Sequence, residues 1–417
     1  MQTEAAGGVA LVLAAAVALV WANSPWQASY QELWETQLAV SIGRFGIDLD
    51  LRHWVNDGLM AVFFLVIGLE IKRELVEGEL RDPRRASLPA VAAVGGMVVP
   101  ALLYLALNAG GDGASGWGIP MATDIAMTVG VLSLLSRRVP VSLKLFLVAL
   151  AIVDDIGAIL VIAAFYTEEI DVNALVVAVG LGGAVIALRA AGVRPHFAYI
   201  AVGIGMWLAL HESGLHATLV GVALGLMAPT RPIRQSQLID ETALTDLSTV
   251  TAARETAILA RESVSVVEWL EHQLHPWTSF VIVPLFALAN AGVPLSATAL
   301  ADAASSPVTY GVIVGLVVGK LVGVTLFTWL AVRLRIGVLP DGAAWPGVVG
   351  IAALAGIGFT VSIFVTGLAF DDPGLQDEAK VGILAASITA AVLGTIILFR
   401  AGRPGRLDNT QSASGLE

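Results

Sequence analysis

The chain has 417 residues, 57% hydrophobic and 14% charged, with a mean hydropathy of +0.81. Water-soluble domains carry about 25% charged residues, so this composition is that of a polytopic membrane protein. A net charge of −11 provides no basic footprint for nucleic acid, and the absence of cysteine excludes disulfides, thiolate catalysis and Cys-ligated metals.

A membrane-crossing helix needs about 20 mostly apolar residues. Twelve segments read this way: 6–22, 58–71, 87–107, 117–135, 142–166, 172–190, 196–210, 214–228, 276–293, 308–332, 345–370 and 379–400. Glu4 is the only charge before Val9, so the first segment is expected to be a span and not a cleaved signal peptide. Residues 23–57 form a polar, aromatic loop. Within it Ile42–Trp54 alternates loosely around Gly43 and Gly46, which suggests a small extracytoplasmic hairpin. Residues 231–268 are polar and read as a cytoplasmic loop, and 401–417 as a polar tail. The expected fold is all-α: one transmembrane domain, 1–400, of about twelve helices.

Lys and Arg set the orientation. With the N-terminus in the cytoplasm, all but five of the 23 basic residues fall on the cytoplasmic side. Arg44, Arg52 and Lys380 lie opposite, and Lys144 and Lys320 fall within spans. Both termini are therefore expected inside.

Two spans look interrupted. The fourth carries Gly116, Gly118 and Pro120 just before Ala122-Thr123-Asp124. The eleventh carries Pro346, Gly347, Gly350, Gly356 and Gly358. Interrupted spans in corresponding halves point to paired discontinuous helices and inverted repeats, here spans 3–5 against 10–12. The alternative is that these glycines only let helices pack closely.

Asp154 and Asp155 are adjacent inside the apolar run Leu143–Tyr166. A charged side chain at the centre of a membrane helix costs ~2.5–3.5 kcal/mol on insertion scales, and its usual uses are proton relay and cation binding. The two side chains point about 100° apart, so one is expected at a cation site and the other at a partner charge or a second water path. Lys144 and Lys320 could instead make structural ion pairs with them. Thr123 and Asp124 fall at the break in span four. They suit an oxygen-rich site for a small hard cation, and equally suit a helix N-cap. Lys320, mid-span, is too far from an interface to snorkel and should meet a carboxylate or helix-end carbonyls.

Asp57 stands at the start of span two, as a pathway residue or at the membrane interface. A second group lies toward the cytoplasm: Glu70, Lys72, Arg73, Glu74 and Glu77 after span two, and Glu271, His272 and His275 before span nine. Glu271 and His275 share a helix face at i,i+4. They read as pH-responsive residues, as a weak metal-site pattern short of the three or four ligands zinc usually takes, or as a solvated charged face. His216 reads as a buried histidine at a helix contact.

Taken together, several strings resemble the bacterial NhaA sodium/proton antiporter family. They include Asn56-Asp57, Gly68-Leu69-Glu70, Ala122-Thr123-Asp124-Ile125-Ala126 and Ala151-Ile152-Val153-Asp154-Asp155. Further along come His216-Ala217-Thr218, Leu274-His275-Pro276-Trp277, Asn290-Ala291-Gly292, Gly319-Lys320 and Gly356-Ile357-Gly358-Phe359-Thr360. The resemblance runs from about residue 50 to 370. NhaA is itself a known inverted-repeat transporter, so that architecture comes with the resemblance, as does the crossing of broken spans 4 and 11.

The resemblance implies that Asp155 is the principal cation ligand. It implies that Asp154 faces Lys320, and that Thr123 and Asp124 are site residues at the broken helix. It makes Asp124 and Lys320 the balancing charges of opposed half-helix dipoles. Glu70, Arg73, Glu74, Glu271, His272 and His275 become the pH-sensing funnel, and Asp57 an extracytoplasmic pathway residue. Glu268-Trp269 and the long 231–268 loop depart from the family pattern and bear on the pH set-point. The implied activity is electrogenic, pH-regulated exchange of Na⁺ or Li⁺ for H⁺ by competition at buried aspartates, in a bacterial inner membrane. No cofactor is expected beyond the transported ions, and the expected partners are membrane lipid and a second copy in a homodimer.

Two rivals stand beside this reading. A Na⁺-coupled solute symporter would share the broken helices but should show a larger polar pocket. An intramembrane aspartyl protease using Asp124 and Asp155 would need a Gly-x-Gly-Asp pattern, which the sequence lacks, and would leave Lys320 without a role.

Overall fold

The computed structural model describes residues 2–42, 45–135, 138–167, 170–193, 196–230 and 264–401. The fold is mostly helical, as a membrane-embedded chain requires: in hydrocarbon every backbone N–H and C=O must be satisfied internally. In chain order α1 is Gln2–Ala22, α2 Gln27–Trp34, β1 Gln37–Ile42 and β2 Phe45–Asp50. Then come α3 Met60–Val76, α4 Pro83–Asn108, α5 Ile125–Leu134, α6 Val141–Phe165, α7 Val172–Ala190, α8 His196–Glu212 and α9 Leu219–Met227. After the 231–263 segment, which lies outside the described residues, follow α10 Val266–Trp277, α11 Val283–Asn290, α12 Ala297–Ser305 and α13 Pro307–Ile313. The last four are α14 Lys320–Arg333, α15 Trp345–Leu354, α16 Phe359–Ala369 and α17 Pro373–Ala401.

Five helices are long and apolar enough to cross a membrane: α4, α6, α7, the continuous Pro307–Arg333 helix and α17. Three bent pairs raise the number to as many as eight. Each of the twelve apolar segments falls on helix, but the eighth does so only over the nine residues of α9. At 1.5 Å per residue that is about 14 Å, half the hydrocarbon thickness.

The segment 231–268 also needs correction at its end. Ser265 caps α10 by accepting a hydrogen bond from the Glu268 N–H at 3.1 Å. From there helix runs without a gap through the π-helical turn Thr278–Ile282 to Asn290. Glu271, His272 and His275 therefore stand on the same helix that becomes span nine. The tail beyond Ala401 lies outside the described residues.

The hairpin sits earlier than its sequence signal. β1 and β2 pair antiparallel from Gln37↔Asp50 to Ile42↔Phe45, and residues 51–59 are already helical. The alternation on Leu38 and Val40 makes the first strand. Asp50 ends the second by accepting the His53 N–H at 2.7 Å, which starts the helix.

Helices cross where glycine removes the side chain, the usual device for close approach in membranes. A Cβ at Gly95 of α4 would strike the Gly323 carbonyl of α14, and one at Gly323 would strike Gly95. This crossing brings α14 close enough for the Lys320 stem to pass over Gly96.

Two apolar clusters divide the interior. One holds Tyr104, Ile152, Leu316 and Phe359; the other holds Ala93, Leu150, Val324 and Ile357. α4, α6, the Pro307–Arg333 helix and the 357–359 stretch each contribute residues to both clusters.

Candidate functional site

The two interrupted spans break where the glycines and prolines foretold. Residues Asp112–Met121 form a 3₁₀ helix that meets α5 at a 44° bend, and α15 meets α16 at 46°. The breaks, 122–124 and 355–358, lie against each other. The Asp124 N–H donates to the Ile357 carbonyl at 2.7 Å, and the Thr123 hydroxyl to the Ala355 carbonyl at 2.8 Å. The first break thus supplies donors to carbonyls at the end of α15 that lack a helical partner.

Asp124 is the pin between them. One carboxylate oxygen accepts the Met127 N–H at 2.9 Å, the N-cap of α5. The other accepts the Thr360 N–H at 3.0 Å and the Thr360 hydroxyl at 2.6 Å, at the start of α16. One negative charge therefore meets the positive ends of two half-helices. Sequence reasoning gave Asp124 a cap on its own helix and did not single out Thr360. The signal was a Thr two residues after Gly358, at the start of an apolar run. Its carboxylate partner comes from a distant span, which no local pattern reveals.

The Lys320 ammonium reaches Asp154 Oδ2 at 2.5 Å, with both side chains within 1% of complete burial. The other Asp154 oxygen, Oδ1, is buried without a hydrogen-bond partner, and Thr123 lies beside this carboxylate. Lys320 follows directly on the π-helical turn Val314–Gly319, an irregularity common at functional positions.

Asp155 is 5% exposed, and none of the described residues donates a hydrogen bond to it. Its electrostatic neighbours are Asp154, Glu70 and Asp124, all negative, and Lys320. A carboxylate held out of water among other carboxylates must take up a counter-charge, a proton or a cation.

The second group is only partly gathered. Arg73 bridges Glu271 across α3 and α10 and lies 3.8 Å from Glu74. Glu74 in turn accepts the Glu79 N–H at 3.0 Å. Burial pushes the Glu271 carboxyl above the usual glutamate range, with the Arg73 guanidinium opposing it. Glu70 acts electrostatically on Asp155, so it links this group to the buried site. His272 is exposed and stands outside the Arg73–Glu271 contact, while His275 is half-buried. Among the described residues no set of three His, Asp or Glu side chains is arranged to hold a metal ion.

Asp57 lies in the π-helical turn Trp54–Leu59, and its carbonyl accepts the Trp207 indole N–H at 3.0 Å. Beside it Asn56 and Asn290 exchange side-chain hydrogen bonds at 3.2 and 2.7 Å, a clasp that sequence reasoning missed. His216 is half-buried, with Nε2 2.5 Å from the Tyr166 carbonyl.

Comparison with known proteins follows the same residues. The family model described as Na+/H+ antiporter 1 matches residues 1–398. The chain belongs to this family. The Na(+)/H(+) antiporter NhaA of Rhodopirellula baltica is 48% identical over 419 residues, covering 97% of this chain and 94% of the relative. The Na(+)/H(+) antiporter NhaA 3 of Frankia alni is 46% identical, covering 95% and 87%. The NhaA of Syntrophobacter fumaroxidans is 45% identical, covering 97% and 90%. Family members of this type are secondary transporters, not enzymes.

Proposed function

We propose that the chain is an electrogenic Na⁺/H⁺ antiporter of a bacterial inner membrane that also accepts Li⁺, with Asp155 as the shared binding group. The observation that carries this is the contrast between neighbours. Asp154 has Lys320 and Asp124 has three hydrogen-bond donors, whereas Asp155 has no donor among the described residues and three carboxyl neighbours. Protons and Na⁺ then compete for one carboxylate. Cytoplasmic Na⁺ displaces protons, and protons displace Na⁺ when the site faces outward.

Thr123 supplies a second oxygen. Asp124 acts mainly as the charge that joins two half-helix N-termini, a narrower role than direct ligation. Lys320, released from Asp154 when a cation enters, loses the second proton. Two protons per Na⁺ move net charge, so a membrane potential, at ~2.3 kcal/mol per charge per 100 mV, drives Na⁺ out.

The proposal includes twelve crossings with both termini inside, and spans 3–5 and 10–12 as inverted repeats. Support comes from matching parts: one broken helix in each set, joined at Asp124. Glu271, Arg73, Glu74 and Glu70 form the pH-responsive link on the cytoplasmic side. His272, being exposed, and His275 serve as outer members of it. Asp57 lies on the opposite pathway, and the exposed β1–β2 hairpin suits a homodimer contact in the lipid bilayer. The symporter alternative is disfavoured, because the family model and the matching relatives are described as Na⁺/H⁺ antiporters.

Everted membrane vesicles energised to hold an acid interior test this reading. Adding NaCl or LiCl should dissipate the gradient, and KCl should not. A gradient dissipated only when an organic solute accompanies Na⁺ would support the symporter instead.

A further inference from the structure

Three of the six histidines of this chain gather around Asp57. His53 is one helical turn before Asp57, so the two share a face. Its Nδ1 lies 2.7 Å from Asp50, which also accepts the His53 backbone N–H. His211 arrives from α8. Its ring stacks on Trp207 at 5.7 Å and 5°, and Trp207 also stacks on Trp54 at 6.1 Å and 16°. The Trp207 indole N–H holds the Asp57 carbonyl. Trp207 thus ties His211 to the Asp57 turn. The titratable groups acting on Asp57 are His211, His53, His216 and Asp50.

We propose that His53 and His211 form a proton-loading site at the mouth of the pathway on the Asp57 face. The proton leaves a hydronium ion or buffer acid for an imidazole nitrogen. It then passes to an Asp57 carboxylate oxygen, which regenerates neutral imidazole. Histidine suits this task because its ordinary titration lies nearest neutral pH. The Asp50 contact holds the His53 proton on Nδ1 and leaves Nε2 to accept.

The proposal rests on antiport and on the sidedness given above. Its test uses the full chain in proteoliposomes, with the pH on each face set independently and Na⁺ as the only transported metal. His53→Gln/His211→Gln should require about tenfold more protons on the Asp57 face for half-maximal exchange. The deficit should be concentrated at low proton concentration and relieved by acid on that face. The profile against pH on the other face should keep its midpoint. His53→Gln alone, at a 60% exposed side chain, gives a smaller shift of the same kind should the double variant misfold. Superimposable profiles, or equal shifts against pH on both faces, would overturn the proposal while leaving antiport intact. A parent protein without Na⁺-dependent exchange would overturn the antiport reading and this site with it.

Discussion

Replacing Lys320 with Met removes the ammonium while keeping most of the stem that passes over Gly96. The perturbation is severe because of where the pair lies. Lys320 and Asp154 are 0% and 1% exposed, 2.5 Å apart, and the second Asp154 oxygen already has no partner. Breaking a buried pair from one side costs ~3–5 kcal/mol, because the remaining charge is stranded. Asp154→Asn should cost a similar amount, by stranding Lys320. The double variant should cost far less than the sum, since neutral groups of matched size need no counter-charge. A coupling energy above ~2 kcal/mol is therefore expected from unfolding of the four proteins in detergent. Single-variant costs that add to the double within ~0.5 kcal/mol would refute the pairing.

Two further outcomes follow from the same structure. Thr360→Val removes one of three donors to Asp124 and should destabilise the protein by ~1.5–3 kcal/mol, the usual worth of a hydrogen bond to a charged group; Thr360→Ser should retain most of the stability, and a Val variant as stable as the parent would remove Thr360 from the junction. Glu271 has a raised carboxyl pKa in the fold, so its contribution to stability is fully present below the ordinary glutamate pKa and is lost as pH rises through the raised value. The melting temperature of Glu271→Gln minus that of the parent should therefore increase with pH across this window, and a constant difference would show that Glu271 does not titrate there.

The helices were legible because a membrane leaves a spanning chain few alternatives, and the two breaks because Gly116, Pro120, Gly356 and Gly358 sit inside apolar runs. Periodicity placed Asp154 and Asp155 on different faces, but the choice of which meets Lys320 came from family resemblance and not from spacing. Thr360 was hidden because its partner lies 236 positions away in the chain. The hairpin was displaced because short, exposed strands carry little pattern: Leu38 and Val40 face solvent or lipid and not a core. The eighth segment was overestimated because the chain turns at Gly214, with φ at +77°, and Leu219 is the first residue of α9. His53 and His211 look like solvated histidines until Trp207, which holds the Asp57 carbonyl, is seen stacked on His211.

The central claim is that protons and Na⁺ share Asp155. It is tested most directly by adding NaCl to purified protein in weak buffer at alkaline pH and counting the protons released. The parent should release about two protons per Na⁺ bound, the ratio proposed above, and any ratio above one makes the exchange electrogenic. Asp155→Asn, folded by its melting profile, should release none on the same addition. Undiminished, Na⁺-dependent release from Asp155→Asn would contradict the account.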